Sequence, residues 1–219
     1  MNILKVIGFF SLAAGLIPSL AIAESHAYIG MMRSGNETHV FISQSVEGMY
    51  GRFRLTEDST TEQGVAAALE SGSYQYSEFW QGYNIRTAVG LELMKFIQFS
   101  IAHEGVTLRS RSSSFENLRG SSLNGEGKLV FQSPIGNLEA GAGIIGSRFD
   151  FQRKLEDASF YGSGLYYLLG WNYFLTYQVS VFGVAKVTTE HFERNSGSTS
   201  ISGVDADMTS LGFGFDIWL

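Results

Sequence analysis

The end of the chain alternates between apolar and small or polar side chains, and this pattern constrains the fold more than any other feature of the sequence. Within residues 209–219, apolar side chains occupy almost every odd position, while the even positions hold serine, glycine, aspartate and Trp218. A period of two residues is typical of a β-strand with two chemically different faces. In a soluble sandwich the apolar face would lie in the core, whereas in a membrane barrel it would face lipid.

Six upstream segments repeat this alternation, which predicts strands joined as hairpins. They are residues 85–94, 96–108, 123–132, 138–149, 160–171 and 175–192. Most are close to the roughly 9–11 residues that a tilted strand needs to cross a membrane. We therefore expect an all-β protein, an antiparallel transmembrane β-barrel, because closure is the only way in which strands can pair every backbone group inside lipid.

The connections between the predicted strands alternate between short and long. Residues 94–95, 133–137 and 172–174 form the short ones, and residues 109–122, 150–159 and 194–208 form longer polar ones. Outer-membrane barrels place short turns in the periplasm and long loops outside the cell. A soluble sandwich has no reason to sort its connections in this way, so the sorting favours the membrane barrel.

The number of strands depends on the region before residue 85. Residues 38–55 can supply one more strand, which gives eight. Residues 27–33 and 37–45 could instead form a hairpin, which gives ten. We expect eight. The longest loop is predicted at residues 56–83, where residues 61–70 could hold a short helix or belong to a mobile loop.

The amino terminus has the pattern of a cleavable signal peptide. Lys5 gives the positive region, residues 6–20 form the apolar region, and Ala21-Ile22-Ala23 gives the small residues that signal peptidase requires. A retained membrane helix is the alternative, but the apolar run is short and contains Pro18. We expect residues 1–23 to be removed after Ala23 and residues 24–219 to form one barrel domain in the bacterial outer membrane.

Composition excludes several functions. The chain has no cysteine, so disulfides and thiol metal sites are excluded. Its formal net charge is -6 and no basic stripe is present, which argues against nucleic acid as a partner. Glycine and aromatic residues are abundant, as is typical of membrane barrels. No cofactor is predicted.

The chain resembles the small outer-membrane barrels of the OmpA/OmpX type, including the opacity-like proteins. The resemblance is carried by the signal peptide and by the final strand, which is similar to the signal read by the outer-membrane assembly machinery. The residues of that signal are Leu211, Phe213, Phe215, Ile217 and Leu219. The resemblance implies a monomer that contacts outer-membrane lipid and lipopolysaccharide, and that needs periplasmic chaperones and the assembly machinery during biogenesis.

Charged residues lie on the faces opposite to the apolar ones, and we expect them to point into the lumen. They are Arg86, Glu92, Glu104, Glu126, Lys128, Glu139, Lys186, Glu190 and Asp216. Buried charges are costly unless they are paired, and the interior of an eight-stranded barrel is just wide enough for side chains to fill. We therefore expect a salt-bridged plug, whereas ten strands would favour a small pore.

Aromatic residues cluster around the turn predicted at residues 172–174. They are Tyr161, Tyr167, Trp171, Tyr173, Phe174 and Tyr177. Amphipathic rings are enriched where lipid meets water, so we expect this set to lie at the membrane interface. A soluble aromatic core is the alternative.

Catalytic and metal sites find little support. A lipid hydrolase would need a serine beside a histidine base that a third polar group orients. Alternation places His103 and His191 near the outer ends of lipid-facing rows, while Glu104 and Glu190 beside them point to the opposite face. Asp205 and Asp207 could contact Ca²⁺, although paired loop acids are usually solvated. No catalytic or metal-binding residue is predicted.

Three hypotheses therefore remain for the function. The leading one is a non-enzymatic barrel with a structural or surface-interaction role, carried by its external loops. The second is a small-solute pore, and the third is an enzyme that modifies lipid at the membrane rim.

Overall fold

A computed structural model shows eight antiparallel strands in one closed barrel, as the sequence predicts. The structure describes residues 38–57, 74–110, 117–133, 135–153, 156–197 and 201–219. The strands are β1 (Thr38–Glu57), β2 (Tyr74–Leu93), β3 (Ile97–Ser110), β4 (Asn117–Ser133), β5 (Gly136–Arg153), β6 (Glu156–Phe174), β7 (Val179–Gly197) and β8 (Ile201–Trp218). Each strand pairs with the next, and β8 pairs with β1, so the sheet closes on itself.

The eight-strand prediction is confirmed, because β1 is one continuous strand that pairs with both β2 and β8. The predicted signal peptide, the first strand of the alternative hairpin and the short helix at residues 61–70 lie outside the described residues. In the described part of the chain, no helix is long and apolar enough to cross a membrane.

The first predicted short turn is present between β2 and β3. The N–H of Phe96 donates to the carbonyl oxygen of Leu93 at 3.2 Å. Met94 and Lys95 adopt left-handed backbone conformations, with φ of 52° and 61°. Such angles match the right-handed twist of the flanking strands, which is why a tight hairpin turn uses them.

The third predicted turn is misplaced. β6 continues through residues 172–174 to Phe174, and the turn occupies residues 175–178 instead. The hydroxyl oxygen of Thr176 accepts the N–H groups of Gln178 and Val179 there, at 3.2 and 3.0 Å. A threonine side chain can replace a backbone acceptor in a turn, and the apolar residues around it hide that signal in the sequence.

The predicted long connections are also wrong in extent, because most of their residues belong to strands. β3 continues to Ser110, β4 begins at Asn117, and β2 begins at Tyr74 rather than Ile85. The strands are 14 to 20 residues long, whereas about 9–11 residues suffice to cross a membrane. The strands are therefore longer than a membrane crossing requires.

The two faces of β1 exchange their polarity part-way along the strand. In β1 the outward side chains of Ile42, Val46 and Tyr50 are followed by those of Arg52 and Arg54. The inward side chains change in the opposite sense, from serines to Phe53 and Leu55. In the lower part of β1 the outer face is mainly apolar and most inward side chains above Phe41 are polar, whereas in the upper part the outer face is charged and the inner face is apolar. An alternation with apolar residues always on the outer face therefore does not describe the upper half of this strand.

Candidate functional site: the lumen and the outer rim

Three aromatic side chains close the periplasmic end of the lumen, and we call them the aromatic base: Phe41, Phe174 and Trp218. The ring of Trp218 lies 5.0 Å from that of Phe41 and 5.5 Å from that of Phe174, between centroids. The indole N–H of Trp218 donates to the hydroxyl of Ser180 at 2.9 Å. All three rings are buried, so this end of the lumen is filled.

This arrangement corrects the expectation for Phe174. The sequence places it at the membrane interface, but only 6 % of its surface is exposed, and its ring faces the lumen. The cause is the misplaced turn, because the strand continues and the alternation of its faces assigns residue 174 to the inner one.

The middle of the lumen holds a network of paired charges. The guanidinium of Arg86 lies 2.6 Å from Glu126 and 3.5 Å from Glu104. The ammonium of Lys186 donates to Glu104 at 2.6 Å. Glu104 also accepts a hydrogen bond from the amide of Asn124 at 2.7 Å. Each of these carboxylates accepts hydrogen bonds from several donors, and the low dielectric of the interior strengthens the pairs.

The remaining predicted lumen residues lie above and below this centre. Lys128 pairs with Glu139 at 3.0 Å. Asp216 accepts a hydrogen bond from Asn172 at 2.7 Å. Glu92 accepts one from Gln98 at 3.0 Å, and Glu190 is buried on the inner face of β7. All nine predicted residues therefore point into the lumen.

Sequence reasoning missed two members of the network. Glu47 lies 3.4 Å from Lys186 and accepts a hydrogen bond from Ser210 at 2.6 Å. The hydroxyl of Tyr166 donates to Glu126 at 2.8 Å. The alternation of Ser43, Ser45 and Glu47 against apolar neighbours could have revealed Glu47. Alternation along residues 160–171 places Tyr166 on the inner face, but its uncharged phenol does not mark it as a partner of the charged residues.

An apolar cluster fills the outer part of the lumen, above the charge network. Its members are Met49, Phe53, Leu55, Trp80, Val106, Leu108, Leu118, Phe149, Ala158, Phe160, Phe192, Ile201, Val204, Ala206 and Met208. The cavity between the charged side chains below it measures about 20 Å³. This volume holds about one water molecule. The lumen is thus filled at three successive levels.

The other predicted interfacial aromatics are on the outer face but do not share one height. Trp171 and Tyr173 lie near the periplasmic end of β6, with ring centroids 5.7 Å apart, and Tyr177 lies in the turn. Tyr167 faces outward midway along β6. Tyr161 lies toward the opposite end of that strand, where its ring is 5.7 Å from the guanidinium of Arg148. The expectation of one cluster at the periplasmic turn is therefore wrong for Tyr161 and for Tyr167.

The final strand presents its predicted assembly-signal residues on the outside. Leu211, Phe213, Phe215, Ile217 and Leu219 are all exposed to the surroundings of the barrel. Their exposure leaves one apolar stripe along β8, while the strand itself is paired with β1 and β7.

At the outer rim, a histidine and an aspartate from neighbouring strands are in contact. His191 Nδ1 lies 2.7 Å from the carboxylate of Asp205. Both side chains face outward, and His191 is also the register partner of Ser163 on β6. Glu190, adjacent to His191 in the chain, points to the inner face, whereas the contacting acid comes from the paired strand. Between the described residues, Ser163 and His191 form no hydrogen bond.

His103 differs from its predicted position. It lies midway along β3, between Thr87 and Leu123 on the neighbouring strands, rather than near the outer end. Among the residues that the structure describes, no group of three or more potential ligands could hold a metal ion.

Comparison with known proteins identifies the fold. No known protein family matches the sequence, and a search of curated proteins finds no match. The outer membrane protein AlkL, solved in DMPC lipid bilayers, matches with a TM-score of 0.51 and 13 % identity, over 84 % of this chain and 91 % of AlkL. Neisserial surface protein A matches with a TM-score of 0.47 and 14 % identity, over 84 % of this chain and 97 % of that one.

The amino-terminal β-barrel domain of Pseudomonas aeruginosa OprF is a further match, with a TM-score of 0.43 and 12 % identity, over 80 % of this chain and 97 % of the domain. At these identities the comparison shows the fold alone. This chain has the fold of the small, OmpA/OmpX-like outer-membrane barrels, as the sequence predicts.

Proposed function

We propose that this protein is a non-conducting, non-enzymatic barrel of the outer membrane that acts at its outer surface. In this proposal the lumen is a structural core, and the extension of the wall above the membrane carries the connections between strands to external partners. The filled lumen is the observation that carries the proposal. A small-solute pore would need a continuous path past the charge network, where the cavity measures about 20 Å³.

The outer extension supports a role in surface interaction. Its apolar interior makes it a rigid platform, because close-packed side chains resist deformation. Its exterior bears most of its arginines on β1, β3, β4 and β5, and most of its carboxylates on β7 and β8, with Asp150 on β5 and Arg194 on β7 as exceptions. A wall that only needed to anchor the barrel in lipid would not require this extra length.

Two measurements test the proposal together. The first is conductance in planar lipid bilayers, where the refolded full-length protein should give no stable current steps. The second measures how well cells attach to immobilised matrix proteins and how well phage adsorb to the same cells. It compares cells that carry the wild type with cells that carry a variant in which a glycine–serine linker replaces residues 58–73. Attachment should fall in the variant, while heat-modifiable gel mobility stays unchanged. Stable current steps would refute the proposal. Wild-type cells that attach and adsorb phage no better than cells that lack the protein would also refute it.

Hydrolysis at the outer rim is a second candidate function, favoured by the contact between His191 and Asp205. An aspartate at Nδ1 orients a histidine to accept a proton at its other nitrogen, and Ser163 lies on the neighbouring strand. This function ranks second for two reasons. Ser163 and His191 are not hydrogen-bonded among the described residues, and the N–H groups of paired strands are engaged in the sheet, which leaves few donors for an oxyanion.

Labelling with a fluorophosphonate distinguishes the two functions. Under the leading proposal, the purified protein in lipid A-containing vesicles takes up no label and releases no fatty acid. Labelling that disappears in Ser163→Ala and His191→Ala, but persists in the His103→Ala control, would establish the enzyme instead.

A further inference from the structure

A groove crosses the outer wall at the height where the outward side chains change from apolar to charged. It has a volume of about 1100 Å³ and runs across β8, β1, β2, β3 and β4. Small residues line part of it, including Gly48, Thr107 and Thr209. Tyr50 and Tyr83 stand beside them and are about half exposed. The groove thus lies partly within the lipid-facing belt and partly above it.

Two arginines stand at the upper end of this groove, Arg109 on β3 and Arg119 on β4. Arg119 is the register partner of Thr107, so the two arginines are diagonal neighbours on the outer face. At that separation long side chains reach each other. Both are exposed, and two guanidinium groups at this spacing repel each other unless an anion lies between them.

The nearest acid by register does not neutralise this pair. Asp150 is the cross-strand partner of Arg119. Its carboxylate lies 3.6 Å from Arg148 and accepts a hydrogen bond from Ser159 at 2.5 Å. Within the described ranges, no carboxylate lies within 4.0 Å of a nitrogen of Arg109 or Arg119. The site therefore presents two positive charges that could both face one anionic ligand.

We propose that this groove binds one phosphorylated acyl lipid of the outer leaflet. Its phosphate lies between Arg109 and Arg119, because guanidinium groups match phosphate oxygens with paired, charge-assisted hydrogen bonds. An acyl chain occupies the lower part of the groove, between Tyr50, Tyr83 and Leu211, where the wall is apolar. The inference is independent of the surface-interaction role proposed above.

The position of the arginines decides which end of the groove takes the phosphate. The carboxylates of Glu193, Asp205 and Asp207 lie on the outer face of β7 and β8, three or four strands away from Arg109 and Arg119. Asp205 and Asp207 are already paired there, with His191 and Arg54. The β8 end of the groove therefore holds the acyl chain, and the phosphate lies at the end formed by β3 and β4. A free phosphate ion would need only the arginines, whereas a phosphorylated lipid uses both ends of the groove.

Binding to the refolded full-length protein in detergent tests the proposal, with bisphosphorylated lipid A as the probe. The double variant Arg109→Gln/Arg119→Gln should bind it about tenfold more weakly or worse, as expected when charge-assisted hydrogen bonds are lost. Arg109→Lys/Arg119→Lys should recover part of the affinity. The control Arg194→Gln, which alters an exposed arginine on β7, should bind like the wild type. Equal binding by the Gln double variant would overturn the proposal.

A second variant tests the acyl part of the groove. Gly48 lies between Leu211 and Tyr83 in register, and a Cβ atom there would meet only the carbonyl oxygen of Leu211, at 3.8 Å. Gly48→Leu can therefore fill the groove without disturbing the wall. Gly82 is unsuitable, since its Cβ would lie 1.9 Å from the carbonyl oxygen of Thr107.

Gly48→Leu should weaken the binding of lipid A and leave that of inorganic phosphate unchanged. Dephosphorylated lipid with the same acyl chains should bind about tenfold more weakly than lipid A. Equal binding of both lipids would indicate a nonspecific lipid shell and refute the site. Full competition by inorganic phosphate at the same concentration as lipid A would show a free-anion site and refute the lipid.

Discussion

Lys186 and Glu104 lie on opposite sides of the barrel, yet the ammonium of Lys186 donates to the carboxylate of Glu104 at 2.6 Å. Their strands, β7 and β3, are four strands apart in either direction around the closed sheet. One hydrogen bond therefore bridges the full width of the lumen. The bridge divides the lumen at this level, where the cavity between the charged side chains measures about 20 Å³.

Replacing Lys186 by methionine should destabilise the barrel by about 3–5 kcal/mol, because it leaves Glu47 and Glu104 buried with less compensation. Urea-induced unfolding from lipid vesicles measures this change. Lys186→Met/Glu104→Gln should lose less than the sum of the two single variants, since the two sites interact directly. Lys95→Met, in the turn between β2 and β3, is the matched control and should change little. Additive losses in the double variant would contradict the bridge.

Removing the aromatic base should not open a channel. Phe41→Ala/Trp218→Ala deletes two of its three rings, but Lys128, Glu139 and the bridge between Lys186 and Glu104 still fill the lumen above it. The double variant should lose stability, by about 3–5 kcal/mol for each ring, without giving current steps in planar bilayers. Stable conductance in this variant would mean that the aromatic base, and not the charge network, closes the lumen.

Gly162 should tolerate no side chain, because a Cβ atom there would lie 2.2 Å from the ring of the buried Phe192. Gly162→Ala is expected to lower the unfolding free energy by about 1–3 kcal/mol through overpacking. Gly146→Ala, where a Cβ meets nothing within 4 Å, serves as the control and should be close to neutral. Phe192→Leu should relieve part of the loss when combined with Gly162→Ala, and an unchanged loss would contradict the contact.

The three tryptophans should respond differently to lipids that carry bromine on their acyl chains. Trp80 is fully buried in the outer apolar cluster and Trp218 is buried in the aromatic base, whereas Trp171 faces outward on β6. In variants that keep a single tryptophan, fluorescence should be quenched strongly only for Trp171. Strong quenching of Trp80 would contradict the exchange of face polarity above the membrane boundary.

The sequence predicted much of the barrel and part of its interior. Alternation with a period of two assigned Arg86, Lys128 and Lys186 to the inner face, because neighbouring side chains of a strand must point to opposite sides. The same rule missed Glu47, because the alternation before residue 85 is too weak to assign its faces. It also assigned Phe174 to the wrong side, because the predicted turn at residues 172–174 lies before the real one.

By itself, the sequence therefore determined that the chain forms strands with one lipid-facing row, because local alternation and strand length are properties of consecutive residues. Only the tertiary structure decided which residues meet. The pairing of His191 with Asp205, the bridge from Lys186 to Glu104, and the grouping of Arg109 with Arg119 depend on strand register and on closure of the sheet. The exchange of face polarity along β1 likewise became visible only once the closed wall separated an inside from an outside.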